Sequence, residues 1–178
     1  RAYRIDEQEG KIVAGFQQLT VDDLTEGNVV VRVSHSTINY KDALAATGAG
    51  KILRRHPLNG GIDLAGVVTR SEDVDFPPGT AVLVNGCGLS ETVDGGYSEY
   101  ARVDSNSLVP IPQGLTPAEA MQIGTAGYTA ALAIHRILQA DGGDSRQVTE
   151  KVGGLARLKA PAVPAAQAQE ARQALVMP

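Results

Sequence analysis

From Lys11 to Pro112 the apolar positions fall into short, β-branched runs separated by glycine, proline and polar corners. Asn28-Val29-Val30-Val31-Arg32-Val33 follows Glu26-Gly27, which predicts a strand entered from a hairpin corner. Gly61-Ile62-Asp63-Leu64-Ala65-Gly66-Val67-Val68-Thr69 predicts a second strand, with small residues where another backbone can approach. Phe76-Pro77-Pro78-Gly79 turns the chain into Thr80-Ala81-Val82-Leu83-Val84. Gly96-Tyr97-Ser98-Glu99-Tyr100-Ala101-Arg102-Val103 and Ser107-Leu108-Val109-Pro110 complete the set. Strands at this density, joined by such corners, predict a small barrel or sandwich; an irregular α+β domain is the alternative.

The period then changes. Thr116-Pro117-Ala118-Glu119 reads as a capping box, with Thr116 at the N-cap, Pro117 at the first helical position and Glu119 reaching back. A helix is expected from Pro117 to about Ile123, broken by Gly124-Thr125-Ala126-Gly127, and a second from Tyr128 to about Leu138. The fold class expected is therefore mainly β with helices (α+β). Three segments follow: a barrel-type domain over 1–128, a junction helix over 129–143, and an Ala/Gln/Pro-rich tail over 144–178 whose alanine stripe buries little area.

Composition narrows the function. The 178 residues are 43% hydrophobic and 20% charged, an ordinary globular balance. Lys and Arg number 16 against 20 Asp and Glu, a net charge of −4, which argues against nucleic acid as a partner. No run approaches the roughly 18 apolar residues of a membrane span, and Arg1-Ala2-Tyr3-Arg4-Ile5-Asp6 has no apolar signal core. A single cysteine, Cys87, excludes an internal disulfide and any multi-thiolate metal site. These features point to a reducing, cytoplasmic setting and rule out a structural zinc knot. His35, His56 and His135 are far apart in sequence.

Five strings in order carry a further reading: Asn39-Tyr40-Lys41-Asp42, Gly48-Ala49-Gly50-Lys51, Gly61-Ile62-Asp63-Leu64-Ala65-Gly66, Gly95-Gly96-Tyr97-Ser98-Glu99-Tyr100 and Gly124-Thr125-Ala126-Gly127-Tyr128-Thr129-Ala130. Together, over roughly residues 1–138, they closely resemble the N-terminal, GroES-like catalytic domain of medium-chain dehydrogenase/reductases. The similarity is to the zinc-independent quinone-oxidoreductase branch, which includes NADPH-dependent acrylyl-CoA reductases. Zinc-binding relatives need a thiolate or imidazole where this chain has Ile38-Asn39-Tyr40, and Gly-His-Glu where it has Gly61-Ile62-Asp63, so the resemblance implies no metal.

The resemblance implies hydride transfer from NADPH to an α,β-unsaturated acyl-CoA or carbonyl compound, or to a quinone. With no Lewis acid, hydrogen-bond donors must hold the oxygen that gains charge, and Asn39 and Tyr40 are the candidates. Tyr40 becomes the expected proton donor, and Asp42 the residue that orients its loop. Asn39, Gly124, Thr125 and Thr129 are expected beside the cofactor, and Tyr97, Arg54 and Arg55 beside the substrate; Lys51 joins the two arginines in a basic cluster suited to CoA phosphates. Each has a plainer alternative: Asn39 as a turn cap, Tyr40 and Tyr97 as half-buried aromatics, Asp63 as a structural acceptor, the 51–55 cluster as a solvated face.

The chain also departs from the family. No Gly-x-Gly-x-x-Gly follows an apolar strand, so a Rossmann domain is expected to be absent and NADPH binding by the chain alone to be weak. Gly86-Cys87-Gly88-Leu89-Ser90 stands where relatives carry a tryptophan, and Val93-Asp94 where an aromatic is common. Both changes predict a wider or wetter pocket. A rival reading is a non-catalytic or truncated barrel serving as an interaction module, self-associating through exposed Ile123 and Tyr128.

Overall fold

A computed structural model of the protein describes residues 1–140; the tail expected over 144–178 lies outside the described residues. Eight strands run in the order β1 (Ala2–Gln8), β2 (Lys11–Gln17), β3 (Val29–His35), β4 (Leu58–Asn59), β5 (Asp63–Ser71), β6 (Ala81–Asn85), β7 (Tyr100–Val103) and β8 (Val109–Pro110). Helix α1 (Tyr40–Thr47) lies between β3 and β4, and α2 (Pro117–Ala140) follows β8. Residues up to Ala126 form one compact unit, and α2 from Gly127 onward belongs to a second.

The strands form two antiparallel sheets, ordered β2-β1-β4 and β7-β3-β5-β6-β8. Main-chain bonds tie β1 to the segment leading into β7, Tyr3 N–H to Tyr97 O at 2.8 Å, and to the residue after β4, Gly60 N–H to Tyr3 O at 2.9 Å. Val29, Val31, Leu64, Val68, Val82 and Val84, from three neighbouring strands, bury the main core together with Leu89 and Leu108. A second cluster joins Ile5, Ala45, Leu53 and Leu58, seating α1 and the following loop on the smaller sheet. At about 25 cal/mol per Å² these β-branched interiors supply most of the driving force for the fold.

Three expectations are corrected. Glu26-Gly27 is not a hairpin corner, because β3 pairs with β5 and β7 rather than β2. Gly27 is required for another reason: a Cβ there would lie 2.5 Å from the Val103 carbonyl carbon. The loop expected around Ile38-Asn39-Tyr40 and oriented by Asp42 gives way to a helix at Tyr40. The Gly96–Val103 strand is shorter, pairing with β3 only from Tyr100.

The capping box at Thr116 forms as expected. Glu119 accepts from the Thr116 N–H and hydroxyl, each at 2.8 Å, and its own N–H returns to the Thr116 hydroxyl at 3.2 Å. Helical geometry breaks at Gly124 alone (φ 51°, ψ −166°) and resumes at once, three residues earlier than the sequence implied.

Candidate functional site

Residues 36–39 cross from the end of β3 to the start of α1, and their polar side chains converge on Asp63 at the start of β5. Asp63 is fully buried. Its Oδ2 accepts from the Thr37 hydroxyl at 2.5 Å, the Asn39 side-chain amide at 3.0 Å and the Thr125 N–H at 3.1 Å. Its Oδ1 accepts from the Thr125 hydroxyl at 2.5 Å. Four donors thus occupy the roughly four acceptor positions a carboxylate offers, and the buried charge is met by hydrogen bonds. The Ser36 hydroxyl adds a bond to the Asp63 backbone carbonyl at 2.6 Å.

Asn39 is held within the same arrangement. Its Nδ2 donates to the Thr37 hydroxyl at 2.7 Å as well as to Asp63, so both amide hydrogens are committed inside the cluster. The side chain thereby locks the crossing loop, and Asn39 also forms the N-cap of α1.

Asp42 completes the brace. The carboxylate is buried, and accepts the Asn39 N–H at 2.8 Å and the Ile62 N–H at 3.0 Å. It therefore joins the first turn of α1 to the residue before Asp63. Burial pushes its carboxyl above the ordinary range, and the two N–H bonds pull it part of the way back. Tyr97 lies beneath: its hydroxyl donates to the Thr37 carbonyl at 2.8 Å and its ring packs edge-on to Tyr3 at 6.4 Å. Burial, then the nearby Asp42 charge, pushes that phenol far above its usual value, so it stays protonated.

Ile38 and Tyr40 project outward on either side of Asn39, 65% and 64% exposed. The structure thus gathers Asn39, Gly124 and Thr125 around the Asp63 carboxylate, while Asp42 and Tyr97 brace the loop that carries Asn39, with Tyr40 next to it. Thr129 is exposed on the later part of α2. Arg54 and Arg55 are exposed in the loop after α1, and Arg54 Nε faces Glu91 at 3.5 Å.

Sequence reasoning missed three partners. Thr37 is a donor to Asp63 that no local pattern marks. Glu91 also takes Lys41 Nζ at 2.5 Å. Asp94, where a relative's aromatic was expected, is a buried anion held by Arg4 at 2.7 Å and by the N–H groups of Asn59 and Thr25, each at 2.7 Å. That substitution fills the position with an ion pair, where the sequence had suggested a wider pocket. A cleft of about 230 Å³ lined by Val21, Val30, Thr69, Arg70 and Tyr100 holds none of the expected site residues. Among the described residues, no three His, Cys, Asp or Glu side chains converge, and no helix is long and apolar enough to cross a membrane.

Comparison with known proteins gives consistent matches. Residues 25–113 match the alcohol dehydrogenase GroES-like domain. A probable acrylyl-CoA reductase of Escherichia coli is 49% identical over 134 residues, covering 75% of this chain and 41% of that protein. A putative quinone oxidoreductase of Bacillus subtilis is 42% identical over 139 residues, covering 78% and 42%. An Escherichia coli crystal structure with bound NADPH superposes with a TM-score of 0.77 at 48% identity, over 79% of this chain and 44% of that one. The chain thus spans about two fifths of the length of each of these relatives.

Proposed function

The chain belongs to the alcohol dehydrogenase GroES-like family, in the quinone-oxidoreductase and acrylyl-CoA-reductase branch of the medium-chain dehydrogenase/reductases, and from that premise we propose that it forms the substrate-facing part of an NADPH-dependent reductase. The acceptor is an α,β-unsaturated acyl-CoA or carbonyl compound, or a quinone. The observation that carries the reading is the Asp63 carboxylate, which ties the 37–39 loop and Thr125 into one rigid patch with Tyr40 standing free at its edge.

The patch suits the nicotinamide end of the cofactor. An exposed aliphatic side chain and an exposed ring, Ile38 and Tyr40, flank a polar centre, which matches a flat heterocycle bearing one amide. When bound, such a cofactor supplies a hydride. The chain supplies position and a proton: the Tyr40 hydroxyl meets the charge that develops on the acceptor oxygen and delivers the proton that completes the reduction. Asn39 and Asp42 act on Tyr40 by fixing the first turn of α1.

Tyr40→Phe tests the assignment, because the residue is exposed and its loss leaves the fold intact. Read at NADPH concentrations high enough to give a measurable wild-type rate, NADPH oxidation with acrylyl-CoA or a quinone should fall by about 10²-fold with unfolding unchanged; a variant rate equal to that wild-type rate overturns the role. NADPH should bind the chain alone weakly, and micromolar binding by calorimetry overturns that expectation.

A second reading has its own observation. Tyr128, Leu132 and Ile134 leave α2 with exposed apolar side chains, and such a surface favours self-association of an interaction module. Sedimentation across a concentration series separates the two: association abolished by Leu132→Glu supports the module, and a monomer at all concentrations removes it.

A further inference from the structure

Lys41 follows Tyr40 directly on α1, and its ammonium sits 2.5 Å from the Glu91 carboxylate. The same carboxylate takes Arg54 Nε at 3.5 Å, and the Arg54 N–H bonds the Glu91 carbonyl at 2.8 Å. The segment carrying Arg54 is itself anchored, because Leu53 and Ile52 pack in the cluster that buries Ala45 of α1. Two cations on different elements are thus held about one acid, next to the expected proton donor. Exposed Lys51 and Arg55 add two more positive charges to the loop. At Glu91 itself two cations stand against one anion, in a chain whose net charge is −4.

Stability does not account for this cluster. Exposed pairs of this kind typically contribute about 0–1 kcal/mol, and the Arg54 side chain is 69% exposed. Lys41 also holds the Glu91 carboxyl below its ordinary range by hydrogen bond and charge, so Glu91 stays ionised as the organiser of the pair. The arrangement suits a ligand with several phosphate oxygens, for which preformed, partly ordered cations lose little entropy on binding.

We propose that Lys41 and Arg54, ordered by Glu91, form the docking site for the nucleotide-tail phosphates of an acyl thioester substrate, whose reactive end then reaches Tyr40. This rests on the reading of the acceptor as a thioester. NADPH carries phosphates too, so the experiment separates the two sources.

Propionyl-CoA, the phosphate-free propionyl-pantetheine and NADPH are each titrated against the protein and followed by backbone amide NMR. Propionyl-CoA should shift the amides of Lys41, Arg54 and Glu91, with binding weakened about 10-fold by Lys41→Gln and by Arg54→Gln and weakened further by added salt. Propionyl-pantetheine should leave these amides unmoved. Equal binding of propionyl-CoA by wild type and both variants overturns the proposal, as does a response at these residues to NADPH but not to propionyl-CoA. Quinone reduction without propionyl-CoA binding sinks this proposal alone. Docking at Lys41 with full activity in Tyr40→Phe sinks the proton-donor reading and leaves the docking site standing.

Discussion

Asp63 accepts two hydrogen bonds from a single residue, Thr125, through its N–H at 3.1 Å and its hydroxyl at 2.5 Å. The two residues lie 62 positions apart, at the start of a strand and just after a helical break. Asp63→Asn keeps the size but replaces one acceptor oxygen with an NH2 group, leaving buried donors unmatched. The expected cost is about 3 kcal/mol in urea unfolding. A loss below about 1 kcal/mol would show that the carboxylate is not the hub described here.

Gly124 sits at φ 51° and ψ −166°, a region open essentially to glycine alone. A Cβ there would also meet Thr37 Cγ2 at 2.8 Å and Asp63 Oδ2 at 3.2 Å. Gly124→Ala should destabilise by more than about 2 kcal/mol. Thr37→Ser removes the offending methyl and keeps the hydroxyl, so it should recover part of that loss when combined with Gly124→Ala. Strict additivity in thermal unfolding would contradict the contact.

The Arg4–Asp94 pair is almost wholly buried, with side-chain exposures of 10% and 1%. Removing Arg4 alone, as Arg4→Met, leaves an unpaired interior anion and should cost about 3–5 kcal/mol. The double variant Arg4→Met/Asp94→Asn should cost less than the sum of the two single changes. Equal additive losses would mean that the two side chains do not act as a unit.

Asp42 gives the protein a pH signature. Its folded carboxyl lies above the ordinary 3.8, chiefly through burial. Between the unfolded and folded values the native state binds more protons, so this group's contribution to stability falls as pH rises through that window. An asparagine in its place does not titrate and carries no such dependence. The penalty of Asp42→Asn should therefore shrink from about pH 3 to pH 7, read by denaturant unfolding at each pH. A penalty that grows over the range would reverse the sign.

Much of the barrel was legible because β-branched runs and Gly/Pro corners act locally. The strands around Val29, Leu64 and Val82 and the capping box at Thr116 all depend on neighbours a few residues away. Strand β1 was not legible: Ala2-Tyr3-Arg4-Ile5-Asp6-Glu7-Gln8 is too polar to alternate clearly, and only Ala2 and Ile5 are buried. Helix α1 was hidden by its short length and the glycines that follow it. Of the site, Asn39, Asp42 and Thr125 were found through family resemblance, and Asp63 was weighed as an acceptor from its chemistry. Its partner Thr37, and the pairs Lys41–Glu91 and Arg4–Asp94, join positions 26 to 90 residues apart, and no local pattern announces such contacts.

The Arg4 guanidinium reaches from the first strand to the loop that continues into Tyr97, and the Tyr97 hydroxyl props the Thr37 carbonyl. A deletion that removes Arg4 would therefore leave Asp94 unpaired in the interior and loosen the support under the loop that leads into α1. A trimmed preparation would then lose stability with Thr37, Asn39 and Thr125 all still present, far in sequence from the missing residues.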